Sequence, residues 1–156
     1  MFDALHRLLS GLDQPHRAAQ QNDAAFALAV LLIEVARSTD NRIEGREESL
    51  IERALARRFG LERKEVTHLV KTAEQGAIEA TDLFHFTQVV VDRFNEEERI
   101  GVIEMLWEVA YSDGVLMGDE DTLIRQVAGL IDVQDWERGE AKRRVRERLE
   151  KKITEP

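Results

Sequence analysis

Two stretches of the chain carry almost the same sequence, and this internal repeat constrains the fold more than any other feature. The stretch "LIEVARS" at residues 32–38 matches "LWEVAYS" at residues 106–112, and after one extra residue, Thr39, the match continues through an acidic turn. Each copy has the pattern of an apolar helix, an acidic turn and a second helix. We therefore expect two helical hairpins packed face to face around one core, with approximate two-fold symmetry.

Apolar residues follow the helical period along nearly the whole chain. They form a stripe at Phe2, Leu5, Leu9 and Leu12. Residues 24–36 form a long apolar run in which Glu34 is the single charged residue. A helix that is apolar on all sides belongs in the centre of a fold, and no segment has the alternating pattern of a strand. The sequence therefore predicts an all-α fold, a compact bundle of about seven or eight helices with an internal duplication of a helix–acidic turn–helix hairpin.

Polar residues and glycines predict where several helices begin and end. Either Asn22 or Asp23 is expected to start the central helix. Gly60 is expected to end the third helix and Gly76 the fourth. Asn95 is followed by three glutamates, which predicts a capped helix start with acids placed favourably against the helix dipole.

A length of 156 residues suits one domain, because such a chain is long enough to bury one substantial core. We therefore predict a single domain over residues 1–156. Its parts are two repeat units at about 23–60 and 96–132, bridging helices at about 62–94 and a basic C-terminal helix at about 135–153.

Charge is unevenly distributed along the chain. The net charge is −9, yet residues 138–152 hold eight bases and only three acids. An acidic body repels nucleic acid, so we expect no nucleic-acid partner and instead expect other proteins to bind through the acidic surface. The basic C-terminal helix is expected to dock on the acidic body or to stay solvated.

The sequence has no secretory or membrane-spanning pattern. Charged and apolar residues alternate near the N-terminus, and the apolar run at residues 24–36 is too short to span a bilayer. Cysteine is absent, which fits a reducing compartment. We therefore predict a cytoplasmic protein with no transmembrane segment and no membrane association.

The second acidic turn carries a family pattern. The pattern Ala-x-x-Asp-Gly-x-Ile-x-x-x-Glu is followed, with Leu in place of Ile, at Ala110, Asp113, Gly114, Leu116 and Glu120. Together with "RRFGL" at residues 57–61 and "EATDLFHFTQVV" at 79–90, this pattern resembles the TerB-like family of tellurite-resistance-associated bacterial proteins over about residues 23–148. The resemblance implies a compact helical bundle, a bacterial cytoplasmic protein and a link to metal or stress response, and it does not imply an enzyme. The first turn departs from the pattern, since Thr39-Asp40-Asn41 replaces Ala-Asp-Gly with one added residue.

Six acids are matched between the two copies and form a candidate metal site. They are Glu34 and Glu108 in the first helices, Asp40 and Asp113 in the turns, and Glu47 and Glu120 at the starts of the second helices. Buried carboxylates are costly unless they are paired, hydrogen-bonded or bound to a cation. Because the chain has no Cys and few His, a hard cation such as Ca²⁺ or Mg²⁺ is the expected ligand.

Two familiar metal sites do not fit the sequence. An EF-hand loop needs a bidentate Glu at its twelfth position, where the two copies have Ile51 and Ile124. A di-iron bundle needs inward-facing Glu-x-x-His pairs, but His68 and His85 lie outside the apolar stripes of their helices and are expected to face solvent.

A structural role for the acids competes with the metal site. Asp-Gly is a turn signal, and Glu47 and Glu120 fall at the third helical position, where a capping-box Glu accepts the N-cap N–H. Glu34 can pair with Arg37 one turn further along its helix. Caps, turns and ion pairs can therefore account for each of these acids without a metal.

Three functions follow from these alternatives. The first is a non-enzymatic TerB-like helical module of the bacterial stress or tellurite-resistance type, which binds a divalent cation through the paired acidic turns. The second is a protein-interaction or scaffold domain whose acids only cap helices. The third is a metal-dependent enzyme, although no Gly-rich phosphate loop and no nucleophile beside a base is found in the sequence. We predict the first, with no catalytic residues.

Overall fold

The computed structural model of the protein describes residues 14–38, 45–112 and 118–154, and every regular element in these ranges is an α-helix. The helices are α1 (Gln14–Arg37), α2 (Gly45–Phe59), α3 (Arg63–Glu79), α4 (Phe84–Arg93), α5 (Glu96–Ala110), α6 (Gly118–Leu130) and α7 (Asp135–Thr154). The prediction of a compact all-α bundle is confirmed. The predicted stripe from Phe2 to Leu12 lies outside the described residues, and the single-domain assignment stays a prediction.

Helix α1 lies at the centre of the bundle. The residues from Leu28 to Ile33 are fully buried, and α1 packs against α2, α3, α4, α5 and α6. The outermost helix, α7, packs instead against α5 and α6. The all-round apolar character of residues 24–36 therefore reflects the central position that the sequence predicts. Among the described residues, no helix has the length and apolarity needed to cross a membrane.

The start of α1 differs from the sequence prediction. The helix begins at Gln14, eight or more residues before the predicted caps Asn22 and Asp23, which are exposed on its surface. Pro15 lies in the first turn, where a helix needs no backbone N–H donor, so this residue does not interrupt the helix. Asp23 instead forms an ion pair with Arg93 of α4 at 3.9 Å.

Helices α2 and α6 end in the same way. Gly60 follows α2 with φ of 63°, as predicted, and Asp132 closes α6 with φ of 60°. In each turn a backbone N–H reaches the carbonyl five residues earlier, from Leu61 to Ala56 at 3.1 Å and from Val133 to Ala128 at 2.8 Å. Such 6→1 hydrogen bonds satisfy carbonyls that the helix end leaves open. The sequence duplication itself stays a prediction.

Gly76 does not end α3 as predicted, because the helix continues to Glu79. A Cβ atom at this position would lie only 2.8 Å from Cζ of Phe26 and 3.7 Å from Cγ2 of Val30, both on α1. The glycine therefore allows α3 to approach the central helix closely. Its role is in packing between two helices, which local sequence signals do not report.

We expect Gly76→Ala to lower the free energy of unfolding by about 1–3 kcal/mol, the usual cost of overpacking, in spite of the better helix propensity of Ala. Gly101→Ala in α5 is the matched control, because a Cβ there meets nothing within 4 Å. The free energy of unfolding of this control should rise by about 0.5–1 kcal/mol from helix propensity alone. Urea unfolding of both variants measures the difference, and an equal gain in both would contradict the packing role of Gly76.

Candidate functional site

Five of the seven described helices carry Glu at their third position. These residues are Glu47 in α2, Glu65 in α3, Glu98 in α5, Glu120 in α6 and Glu137 in α7. The helix starts at Gly45 and Gly118 therefore place Glu47 and Glu120 where the sequence predicts them. A carboxylate at this position can accept the otherwise open N–H of the N-cap residue and also suits the helix dipole.

Three of these glutamates cap their helices. Glu65 accepts the N–H of Glu62 at 3.0 Å, and Glu137 accepts that of Gln134 at 3.1 Å. Glu98 accepts the N–H of Asn95 at 3.0 Å, while the Asn95 side chain accepts the N–H of Glu98 at 2.9 Å. The predicted cap at Asn95 is thus confirmed as a full capping box, and capping is the ordinary role of the third-position Glu in this fold.

Glu120 differs from the other four in its burial. Glu120 is 6% exposed and is the one charged residue among the described residues that is buried, and Oε2 of Glu47 is also buried. Both side chains take part in interactions within the protein. Glu65 is exposed, while Glu98 and Glu137 are partly exposed. The one buried glutamate of the five, Glu120, follows one acidic turn, and Glu47, which follows the other, is partly exposed.

Glu34, near the end of α1, makes the ion pair that the sequence predicts. Its Oε1 lies 3.2 Å from Nη1 of Arg37, and its side chain is 26% exposed. Desolvation by the surrounding apolar residues raises the pKa of Glu34 above its ordinary value, and the Arg37 charge only partly opposes this. Glu34 is therefore a partly desolvated carboxylate that already has one cationic partner.

Glu108, the matching acid of the second copy, binds the basic C-terminal helix. Nη2 of Arg148 lies 2.8 Å from its Oε1, and Nε of Arg144 lies 2.7 Å from Oε1 of Glu104 one turn earlier. Between these pairs the Val145 side chain is fully buried. Helix α7 therefore docks on the acidic body through one face, and Glu108 serves that contact.

The described acids do not by themselves gather into a metal centre. Within residues 14–38, 45–112 and 118–154, no three His, Asp or Glu side chains are grouped so as to hold a metal ion. Asp40 and Asp113, the predicted ligands in the turns, lie outside the described residues. The metal assignment of all six acids therefore stays a prediction.

Two histidines, His68 and His85, lie where the sequence predicts them. His68 on α3 and His85 on α4 are both exposed, and His85 rests edge-on against Phe86. Asp82 caps α4 by accepting the N–H of Phe84 at 2.9 Å. These side chains face outward or serve caps, so they do not form an inward-facing di-iron ligand set.

A groove lies between α2, α5 and α7, and it was not predicted from the sequence; we call it the basic groove. It has a volume of about 710 Å³, and its basic lining residues are Arg53, Arg57, Arg58, Arg148 and Lys152. The signal was present in two helices as bases four residues apart beside apolar residues at the same spacing. Only the packing of three helices brings these two patterns together.

Comparison with known proteins identifies one family. The family model described as tellurite resistance protein TerB matches residues 25–143, which include both repeat units almost completely. No curated protein and no solved structure gives a significant match to the chain.

We expect Glu34→Gln to raise the free energy of unfolding at pH 7 by a few tenths of a kcal/mol, about 0.5 at most. A raised pKa means that the folded protein holds the proton more tightly than the unfolded chain, so stability falls as the pH rises through that range. The gain should therefore vanish at about pH 3.5, where the carboxyl is protonated in both states. Urea unfolding at both pH values measures this.

The control for this prediction is Glu140→Gln on α7. Its hydrogen bond and ion pair with Arg143 lower the pKa of Glu140, so that substitution should reduce stability at pH 7. A loss of stability in Glu34→Gln at pH 7 would show that the Arg37 ion pair outweighs desolvation of Glu34.

Proposed function

This chain belongs to the tellurite resistance protein TerB family, and we propose that it is a non-enzymatic binding module whose two acidic turns take up a divalent cation, Ca²⁺ or Mg²⁺. The proposal places the protein in the bacterial cytoplasm, in a stress or tellurite-resistance setting that the family name suggests. The non-enzymatic part rests on the family and on the lack of a catalytic signature in the sequence.

One observation carries the proposal: Glu120, the one buried charged residue among the described residues, follows an acidic turn. Glu120 and Glu47 follow the turns that contain Asp113 and Asp40, and they are more deeply placed than the capping Glu65. Moving a carboxylate out of water is unfavourable unless hydrogen bonds or a cation compensate. An Asp in the turn and a Glu behind it supply the oxygen ligands that hard cations prefer, with backbone carbonyls and waters to complete the shell.

The two remaining acids have a smaller part in this proposal. Glu34 and Glu108 already hold Arg37 and Arg148 in ion pairs. A cation at either turn would therefore compete with an arginine for these carboxylates. We propose that Asp40 and Glu47 form one ligand set and Asp113 and Glu120 the other, with Glu34 and Glu108 contributing negative charge from the neighbouring helices.

A second function, a protein-interaction module without a metal, is favoured by the capping geometry. Glu65, Glu98 and Glu137 show that a third-position Glu in this fold commonly closes a capping box. If Glu47 and Glu120 do the same, each contributes roughly 1 kcal/mol to helix stability and no ligand is required. The acidic surface would then serve partner binding alone.

Titration calorimetry and thermal melting with Ca²⁺, Mg²⁺, Mn²⁺ and Zn²⁺ test the cation proposal. We expect saturable heat with a hard cation and a melting temperature higher by roughly 5–10 °C at a hundredfold excess over Kd. Glu120→Gln and Glu47→Gln should each weaken this response. Glu137→Gln is the matched control, because Glu137 holds the same helical position but lacks the Asp that stands seven residues before Glu47 and Glu120, and it should keep the full response.

The outcomes separate the two functions. If the unsubstituted protein gives neither saturable heat nor a higher melting temperature, the cation proposal fails. If Glu120→Gln and Glu137→Gln then lose similar stability in the absence of any cation, both glutamates act as caps and the interaction module is the better account.

A further inference from the structure

The basic groove has an apolar floor contributed by three helices. Leu50 of α2, Met105 of α5, and Val145 and Leu149 of α7 all line it. Val145 is buried, but the other three remain partly accessible to solvent. An open, partly apolar surface between helices is the kind of groove into which another protein segment can pack its own apolar side chains.

The rim of the groove holds positive charge that the described carboxylates do not neutralise. Arg58 forms an ion pair with Glu98 at 2.5 Å, and Arg148 forms one with Glu108 at 2.8 Å. Arg53, Arg57 and Lys152 are exposed and form no ion pair with any described carboxylate. On a chain with a net charge of −9, three bases without an ion pair to the described carboxylates, placed around one apolar floor, mark a local site for an acidic ligand.

The length of the groove fits two turns of a helix. Its lining residues extend over positions 50–58 of α2 and 145–152 of α7, and they also include Met105 and Glu108 of α5 and residues 111–112 after it. With a rise of 1.5 Å per residue, these segments are about 10–12 Å long. An apolar stripe at positions i, i+3, i+4 and i+7 of a partner helix covers about the same length, roughly 10.5 Å.

We propose that the basic groove binds a short acidic amphipathic helix of a partner protein, with its apolar stripe on the floor and its Asp and Glu residues against Arg53, Arg57 and Lys152. An anionic bilayer carries similar charge but fits less well. The groove is concave, and the acidic remainder of the protein would be repelled from a broad negative surface. Binding at the basic groove does not depend on a cation.

Fluorescence anisotropy with a labelled synthetic peptide tests the proposal. The probe is a 14-residue helix-forming peptide with Leu at i, i+3, i+4 and i+7 and Glu on both flanks. One comparison peptide has Lys in place of every Glu, and another has the same composition in scrambled order. We expect the acidic amphipathic probe to bind in a saturable manner and each comparison peptide to bind at least about tenfold more weakly.

Charge reversal on the full chain locates the binding site. Arg57→Glu/Lys152→Glu should weaken binding of the acidic probe by about tenfold or more. Lys64→Glu/Lys71→Glu makes the same change in net charge on α3, at exposed positions that do not line the groove, and should leave binding within about twofold. Thermal melting of both variants verifies that they remain folded, which is expected because all four side chains are exposed.

Several results would overturn the proposal. One such result is that the unsubstituted protein does not bind the acidic probe. Another is that the α3 control loses as much affinity as the groove variant, because this would indicate diffuse charge attraction. Equal binding of the scrambled peptide would remove the need for an apolar stripe. Groove-dependent binding to vesicles of 70% phosphatidylcholine and 30% phosphatidylserine, without peptide binding, would assign the groove to a membrane. A dimer that Arg57→Glu/Lys152→Glu converts to monomer in sedimentation velocity would assign it to a second copy of the chain.

Discussion

The burial of α1 on all sides is the constraint on which the rest of the structure depends. Its central residues have no exposure to solvent, and five other helices surround it. Each of those helices must therefore turn an apolar stripe inward, which leaves no room for polar chemistry in the middle of the bundle. Helix α7 packs against α5 and α6, where its Val145 is buried and its ion pairs to Glu104 and Glu108 hold it to α5.

With the interior filled by apolar side chains, the polar chemistry of the protein is found at helix starts and along the outer grooves. Capping by Glu65, Glu98 and Glu137 satisfies backbone N–H groups that no neighbouring helix can reach. The same third position is occupied by Glu47 and Glu120 behind the acidic turns. An additional carboxylate in the turn before such a Glu can thus add a binding function to a helix cap without a change in the core.

Features that depend on neighbouring residues were predictable from the sequence, and features that depend on distant contacts were not. The end of α2 at Gly60 and the cap at Asn95 follow from local backbone chemistry. Gly76 was misread because its role depends on Phe26, which lies far away along the chain. For the sites, the helical positions of Glu47 and Glu120 were predictable. The burial of Glu120 and the basic groove were not, because both result from how whole helices pack together.

The central claim is that the two acidic turns bind a divalent cation, and a two-dimensional amide NMR titration with Ca²⁺ or Mg²⁺ tests it most directly. We predict saturable shifts confined to residues 40–47 and 113–120 and their contacts, with little change at the groove residues Arg53, Arg57 and Lys152. Shifts at neither turn, or small unsaturating shifts spread over the whole acidic surface, would contradict this claim and leave Glu47 and Glu120 as structural caps.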